Sequence, residues 1–260
     1  MNGRGRLLLC LFLSAALTPP RQLAVAGAAS SSSSKVVTSL PGFQGRLPFH
    51  LETGYVEVDE ENGTELFYYF VESEVGGDKA PFLLWLTGGD RCSVLSGLAL
   101  EIGIEAGRNP ILNLKSYTAY LSYFWANDAL TRDALGIKDG TVDEWVRCHD
   151  GDLPYAVDIG SSIKYHRNVT VNGYRALVYS GDHDAIVPHL GTQAWVRSLG
   201  FPVVDDWRAW HLDGQSAGFT ITYSNNLTFA TVKGAGHTAP QYEPERCYAM
   251  FNRWILDQPL

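Results

Sequence analysis

The fold of this 260-residue chain is decided by two stretches, Tyr179-Ser-Gly-Asp-His-Asp-Ala-Ile-Val-Pro188 and Gly234-Ala-Gly-His-Thr-Ala-Pro240. An apolar run, Ala176 to Tyr179, precedes Asp184 and is typical of a buried strand. A second predicted strand, Phe229 to Lys233, ends in a Gly-Ala-Gly turn that presents His237. The sequence thus predicts an aspartate and a histidine that each lie in a loop directly after a strand.

An acid followed by a histidine is the second half of an α/β-hydrolase triad, in which a nucleophilic serine precedes both on a sharp strand-to-helix turn. No Gly-x-Ser-x-Gly sequence occurs before Asp184. The one match, Gly214-Gln-Ser-Ala-Gly218, places Ser216 between the acid and the histidine, and an alternating strand follows it where the turn requires a helix. Ser216 is therefore a weak candidate nucleophile, and Asp184 and His237 form an orienting pair with no serine to activate.

The other predicted elements are strands and helices in alternation. The strands are Tyr55 to Asp59 and Glu65 to Val71, which form a hairpin, then Pro81 to Leu86 and Phe219 to Tyr223. The helices are Ala129 to Leu135, with Asn127 as N-cap and Gly136 as its end, Leu190 to Leu199, and Glu243-Pro244 to Ile255. No clean periodicity marks the residues from Ile104 to Ser122. This alternation predicts an α/β fold, with a mainly parallel sheet and helices on both faces.

The strand Pro81 to Leu86 leads directly into Thr87-Gly-Gly-Asp-Arg-Cys-Ser93. A Gly-Gly pair in this position can turn its backbone N–H groups toward a developing oxyanion, because no side chain stands in the way. A Gly-Gly pair is also an ordinary turn, and both interpretations stay open on this evidence.

Metal, cofactor and nucleic-acid binding find little support in the sequence. Four residues of metal-binding types are close together, but they have no recognised ligand spacing: Asp182, His183, Asp184 and His189. The net charge of −8 does not favour nucleic-acid binding, which usually shows as a basic patch. We therefore predict no metal, no cofactor and no nucleic-acid partner.

The N-terminus has the features of a secretory signal peptide. Arg4 and Arg6 precede an apolar run, Leu7 to Leu17, and small residues follow at Ala24 to Ala28. The apolar run is too short to span a bilayer, and no later run is long enough either, so no membrane-spanning segment is expected. The predicted organisation is a signal peptide over residues 1–28, a serine-rich disordered leader over 29–38, and one domain over 39–260.

Entry into the secretory pathway gives meaning to the sequons and the cysteines. Three Asn-x-Thr triplets become candidate glycosylation sites: Asn62, Asn168 and Asn226. Cys10 is lost with the signal peptide, which leaves an odd set of three: Cys92, Cys148 and Cys247. One disulfide and one buried thiol is the simplest arrangement.

Together these motifs resemble the serine carboxypeptidase-like family, especially its plant members. The resemblance covers nearly all of the chain from Val36 onward and rests on Leu40-Pro-Gly-Phe43, Leu51-Glu-Thr-Gly-Tyr-Val56, Glu65-Leu-Phe-Tyr-Tyr-Phe70, Leu84-Trp-Leu-Thr-Gly-Gly89, Trp125-Ala-Asn127, Tyr179-Ser-Gly-Asp-His-Asp184, Asp213-Gly-Gln215 and Gly234-Ala-Gly-His-Thr-Ala-Pro240. It implies an α/β-hydrolase fold, and either cleavage of C-terminal residues from peptides or acyl transfer from sugar esters. The implied substrate is a peptide or a small-molecule ester, and the implied location is extracellular or vacuolar.

The resemblance also implies roles for individual residues. It implies that Asp184 is the triad acid, His237 the triad base and Gly89 the first oxyanion-hole donor. Substrate binding is implied for Thr87 and Gly88, and a disulfide for Cys92 and Cys148, which leaves Cys247 unpaired. Thr87 stands where peptidase members carry asparagine, and in this it resembles the acyltransferase branch. Asp90-Arg91 replaces the family's usual Pro-Gly.

A block of the family's sequence is missing after Gly103. The segment that follows, Ile104 to Leu114, resembles what lies beyond the serine-bearing turn, and a second seam near Lys115 to Tyr120 skips the family's cap insertion. The implied fold is an α/β hydrolase that lacks central strands, the cap and the nucleophile. We expect a catalytically inactive form, with two alternatives: a binding protein without chemistry, or a hydrolase that uses Ser216.

Overall fold

The computed structural model describes residues 34–60, 63–72, 82–86, 92–98, 114–148 and 159–260. These residues fall into two compact units. The first unit holds the described residues up to Gly97 together with 114–148, and the second holds Leu98 and residues 159–260.

The first unit contains a three-stranded antiparallel sheet in the order β1-β2-β3. Its strands are β1 (Ser34–Val37), β2 (Leu51–Asp59) and β3 (Thr64–Val71). The predicted hairpin is therefore confirmed, and its first strand begins four residues earlier than expected. The predicted disordered leader is wrong for Ser34 to Val37, because backbone hydrogen bonds to β2 order this segment as a strand.

Three helices complete the first unit: α1 (Val94–Ser96), α2 (Leu114–Asn127) and α3 (Ala129–Leu135). The bounds of α3 are as predicted, and Gly136 ends it with a positive φ of 70°. The predicted N-cap was wrong by one residue, because Asp128 accepts the Thr131 N–H at 3.0 Å. Asn127 instead ends α2, and its side chain donates to the carbonyl oxygen of Trp145 and accepts that residue's N–H.

The predicted strand over Pro81 to Leu86 is wrong for the part of it that the structure describes. Its described residues, Phe82 to Leu86, have no regular secondary structure. An uninterrupted apolar run forms a strand where neighbouring strands hydrogen-bond to it and both faces are covered. Within the described part of the chain, no strand pairs with this segment, and Phe82, Leu84 and Leu86 are exposed.

The second unit is a four-stranded sheet in the order β4-β7-β6-β5, with four helices. Its elements are α4 (Ile163–Val171), β4 (Ala176–Gly181), α5 (His189–Ser198), β5 (Val203–Leu212), β6 (Gln215–Tyr223), β7 (Leu227–Val232), α6 (Ala239–Tyr242) and α7 (Pro244–Ile255). The predicted helices at α5 and α7 are confirmed to within a residue, whereas α4, β5 and α6 were not predicted.

The prediction of a mainly parallel sheet is wrong for the described strands. β4 and β7 are parallel, but β5 and β6 pair antiparallel, as do β6 and β7. The connections explain this, because two- and three-residue turns join only antiparallel strands. Asp213 and Gly214 form the first turn and both have positive φ; the second contains Asn225 and Asn226, which also do.

Helices cover both faces of the second unit's sheet, and β7 contributes apolar side chains to both, because successive residues of a strand face opposite sides. Leu227 and Phe229 pack on the face covered by Val196 and Leu199, at the C-terminal end of α5. Ala230 and Val232 pack on the other face, where the residues from α7 are Cys247 and Met250. β4 and β7 are neighbouring parallel strands of this sheet, and the loops that follow them contain the candidate site.

Candidate acid–base site

Two parallel strands bring Asp184 and His237 to one edge of the sheet. Gly181, the last residue of β4, is paired with Val232, the last residue of β7. The carboxyl ends of both strands therefore lie together, and the loop after each strand begins at the same level. This is why residues separated by 53 positions in the chain can share one hydrogen bond.

Asp184 and His237 are hydrogen-bonded in the structure. The distance from His237 Nδ1 to Asp184 Oδ2 is 2.9 Å. The other carboxylate oxygen, Oδ1, accepts the N–H of Ile186 at 2.8 Å and that of Val187 at 3.0 Å. The Asp184 side chain is 5% exposed, whereas that of His237 is 48% exposed. The acid is thus held by the protein on all sides, and the histidine is open to a ligand.

The hydrogen bonds to Asp184 determine its ionisation. Burial favours the neutral carboxyl group, but the N–H of Val187, the ring of His237 and the N–H of Ile186 outweigh it, so the pKa of Asp184 is lowered from its usual 3.8. The carboxylate is therefore charged at neutral pH and can orient the imidazole with its Nδ1–H toward Oδ2.

A second aspartate ties the two loops together. Asp182 Oδ1 accepts the N–H of Gly234 at 2.7 Å, at the start of the turn that presents His237. Beside it, the N–H of His183 donates to the carbonyl oxygen of Ala235 at 2.9 Å. The sequence suggested Asp182 only as a metal-ligand type and missed this bridge, because the bond depends on the register of β4 against β7.

Gly181 is required where the loops meet. A Cβ atom on this residue would lie 2.2 Å from the carbonyl oxygen of Ala235 and 2.4 Å from that of Gly236. Both are backbone atoms, which cannot rotate away. A glycine at the end of β4 therefore lets the histidine loop approach closely enough for the bond between His237 and Asp184.

Ser216 lies in the sheet and does not occupy a strand-to-helix turn. It is the second residue of β6, and it is paired with His211 of β5. Gly214 of the Gly-x-Ser-x-Gly match belongs to the turn between β5 and β6, and Gly218 lies against Thr231 of β7. Among the described residues, no hydrogen bond joins Ser216 to His237. The turn between β5 and β6 accounts for Gly214, and the close packing of β6 against β7 accounts for Gly218.

The remaining predicted site residues lie apart from this pair or outside the described residues. Outside them lie Thr87, Gly88, Gly89 and Asn62. In the first unit, Cys92 and Cys148 form a disulfide, which is the pairing that the resemblance implied. Cys247 is a buried free thiol, and burial together with the charge of Glu243 raises its pKa to about 12, so it stays protonated.

The described ranges contain neither a candidate metal site nor a candidate membrane span. No three His, Cys, Asp or Glu side chains there are grouped so that they could hold a metal ion. None of the helices described is both long and apolar enough to cross a bilayer.

The order of the bonded pair in the chain, Asp184 before His237, is that of the acid and the histidine in an α/β hydrolase. A model of the serine carboxypeptidase family matches residues 41–118 and 105–257. The chain therefore belongs to the serine carboxypeptidase family, and this membership implies the α/β-hydrolase fold.

Curated relatives from Arabidopsis thaliana cover most of the chain. Serine carboxypeptidase-like 3 is 31% identical over 416 aligned positions, which cover 88% of this chain and 94% of the relative. Serine carboxypeptidase-like 1 is 30% identical over 415 positions, with the same shares covered. Because the chain has 260 residues, these longer relatives contain internal segments that it lacks.

A shorter relative differs in this respect. Putative serine carboxypeptidase-like 52 of Arabidopsis thaliana is 38% identical over 230 positions, which cover 88% of this chain and 90% of the relative. The two chains thus align without a long internal gap. Among solved structures, a prohormone-processing carboxypeptidase from Saccharomyces cerevisiae matches 54% of this chain and 32% of its own, at 18% identity and a TM-score of 0.44.

Proposed function

We propose that this chain is a non-catalytic member of the serine carboxypeptidase family. The observation that carries the proposal is a hydrogen-bonded Asp184–His237 pair in a sequence that has no Gly-x-Ser-x-Gly motif before it. The family's peptide cleavage or acyl transfer from an ester needs that serine to attack the carbonyl carbon.

The geometry of the pair explains what is kept and what is lost. Nδ1 of His237 is bonded to Asp184, so Nε2 is the nitrogen that would take a proton from a nucleophile. Without the serine, the pair can act only as a general base toward water, which is worth about 10²–10⁴-fold. The backbone N–H that follows the nucleophile is the second oxyanion donor in this fold, and it is lost with the serine.

Putative serine carboxypeptidase-like 52 supports the view that the shortened form of the family sequence is not confined to this chain. The internal segments present in serine carboxypeptidase-like 3 are absent from both this chain and putative serine carboxypeptidase-like 52. Strands that lie centrally in the family's sheet belong to the missing block, so we propose that this form of the fold has a smaller sheet. Thr87, in place of the peptidase asparagine, favours a parent of the acyltransferase type.

A kinetic comparison of three chains tests the proposal. For the wild type we expect no cleavage of peptide C-termini and no acyl transfer. Any slow hydrolysis of an activated ester should be lost in His237→Ala and unchanged in Ser216→Ala, because only the histidine can act on water. Loss of peptide or ester turnover in Ser216→Ala, with the protein still folded, would identify Ser216 as a nucleophile and contradict the proposal.

A binding role without chemistry is the second candidate. Three apolar side chains are exposed in the same loop or helix start as the acid: Ile186, Val187 and Leu190. A peptide or ester of the class that the family uses could contact them beside His237. Both candidates predict that the chain does not turn over a substrate. Only the binding role predicts saturable binding of a peptide or ester.

A further inference from the structure

A cavity of about 330 Å³ lies in the second unit, away from the acid–base pair. Its floor is the sheet face that α7 covers, where Thr220 and Thr222 of β6 and Thr228 of β7 line it. Its wall is formed by Trp254 of α7 and the residues that follow this helix. The volume is at the lower end of the range for small-molecule sites.

The charged groups of the cavity are already paired with one another. Arg175 forms an ion pair with Asp257 at 3.0 Å, and Arg208 forms one with Asp205 at 2.7 Å. Arg208 also donates to the backbone oxygen of Leu260 at 2.7 Å, so both arginines are engaged within the protein and neither is left for an anionic ligand. The Arg175 guanidinium lies over the Trp254 ring, 4.8 Å from its centroid, and the buried Thr220 hydroxyl donates to the carbonyl oxygen of Phe229. The polar groups that face the cavity beside them are the hydroxyls of Thr222 and Thr228 and the side-chain amide of Gln258, which suits a neutral ligand rich in hydroxyl groups.

Asn226 stands at the edge of this cavity and begins a sequon, Asn226-Leu-Thr228. The residue is exposed in the turn between β6 and β7, where its φ is 57°. Leu227 faces the opposite side of the sheet, in the cluster beneath α5. The acceptor asparagine and the threonine of the sequon therefore both line one polar cavity.

A second described sequon lacks this setting. Asn168 lies within α4, and the hydroxyl of Thr170 is buried and donates to the carbonyl oxygens of His166 and Arg167. Neither Asn168 nor Thr170 lines the cavity. Of the two sequons that the structure describes, only the one at Asn226 lies beside the polar cavity.

We propose that Asn226 carries an N-linked glycan whose first sugar occupies this cavity. In the attachment, Asn226 Nδ2 loses a proton and bonds to the anomeric carbon of a lipid-diphosphate-linked oligosaccharide. The bond from that carbon to the diphosphate oxygen breaks, and the lipid diphosphate leaves with the electron pair. The hydroxyls of Thr222 and Thr228 then lie beside a sugar that is covalently held in the cavity. This inference does not depend on catalysis by the chain; it requires the predicted entry into the secretory pathway.

The site is tested with two matched variants of the full chain, expressed in a secreting eukaryotic cell. Thr222 and Thr228 are paired across β6 and β7, and both line the cavity, but only Thr228 belongs to the sequon. Mass spectrometry of the secreted wild type should find the glycan on Asn226. Thr228→Val should lose it and Thr222→Val should keep it. Unmodified Asn226 in the secreted wild-type chain would overturn the proposal.

The position of the sugar is tested by enzymatic removal of the glycan with peptide N-glycosidase. Asn226 itself is exposed, but its first sugar is proposed to pack in the cavity, so this sugar must leave the cavity before the glycosidase can reach the linkage. We therefore expect release from Asn226 to be at least about tenfold slower in the native than in the denatured chain, and faster in native Thr222→Val than in the native wild type. Equal rates for the native and denatured wild type would show that the sugar does not occupy the cavity.

Discussion

Gly218→Ala is expected to destabilise the second unit by about 3 kcal/mol, because the new methyl group meets backbone in the core. A Cβ atom at this position would lie 1.9 Å from the carbonyl oxygen of Thr231 and 2.7 Å from Trp210 Nε1. Trp210 is 1% exposed and donates a hydrogen bond to that same carbonyl oxygen at 2.9 Å. The clash can therefore be relieved only by moving β6 away from β7.

Gly191→Ala is the matched control for this substitution. Gly191 lies in α5, and a Cβ atom there would meet nothing within 4 Å. Because alanine favours a helix over glycine, this variant should gain up to about 1 kcal/mol. Urea unfolding followed by circular dichroism measures both changes. Equal stabilities of the two variants would contradict the assignment of Gly218 to strand packing, and would reopen the Gly-x-Ser-x-Gly match as a catalytic motif.

Asp184→Ala should lower the free energy of unfolding by about 2–4 kcal/mol, because it removes the acceptor of three hydrogen bonds. The N–H groups of Ile186 and Val187 lose the carboxylate oxygen that accepts their hydrogen bonds. His237 loses the oxygen that orients its ring. Asp206→Ala is the control, since Asp206 is exposed and accepts only the N–H of its neighbour among the bonds described. The control should change stability by less than about 0.5 kcal/mol. An equally small effect for Asp184→Ala would contradict the role given to the buried carboxylate.

The same residue gives the unfolding free energy a dependence on pH. The pKa of Asp184 is lower in the folded chain than its usual 3.8, so its charged form contributes stability that is fully present above that value. As the pH falls from 3.8 through the lower folded-state pKa, this stability is lost. Asp184→Ala should therefore lose less stability than the wild type between about pH 6 and about pH 3. Parallel pH profiles would show that Asp184 is not the group responsible.

The sequence predicts those helix and strand ends that are set by the residue types at the end itself. Asn225 and Asn226 both have positive φ, which asparagine tolerates, so the residue types suit the turn between β6 and β7. Pro244 suits the first turn of α7 in the same way. By contrast, β5 carries Asp205, Asp206 and Arg208 without regular alternation, and only its pairing with β6 makes it a strand. Tertiary pairing of this kind leaves no local signal.

The acid–base pair was predictable because each member follows a recognisable strand. Nothing in either stretch shows that Asp182 bonds to Gly234, since that contact joins residues 52 positions apart and depends on strand register. The segment Phe82 to Leu86 shows the opposite case. Its apolar composition indicates a buried strand, yet the described residues provide no neighbour for it.

The measurement that tests the central claim most directly is labelling of the secreted, monodisperse chain with a fluorophosphonate, followed by mass spectrometry of the modified peptide. A serine activated by the Asp184–His237 pair would react at its hydroxyl oxygen, and Ser216→Ala controls for the one motif match. We predict no label on any serine under conditions that fully label an active member of the family. A label on Ser216, or on any other single serine, that disappears in His237→Ala would show a working triad and contradict the account.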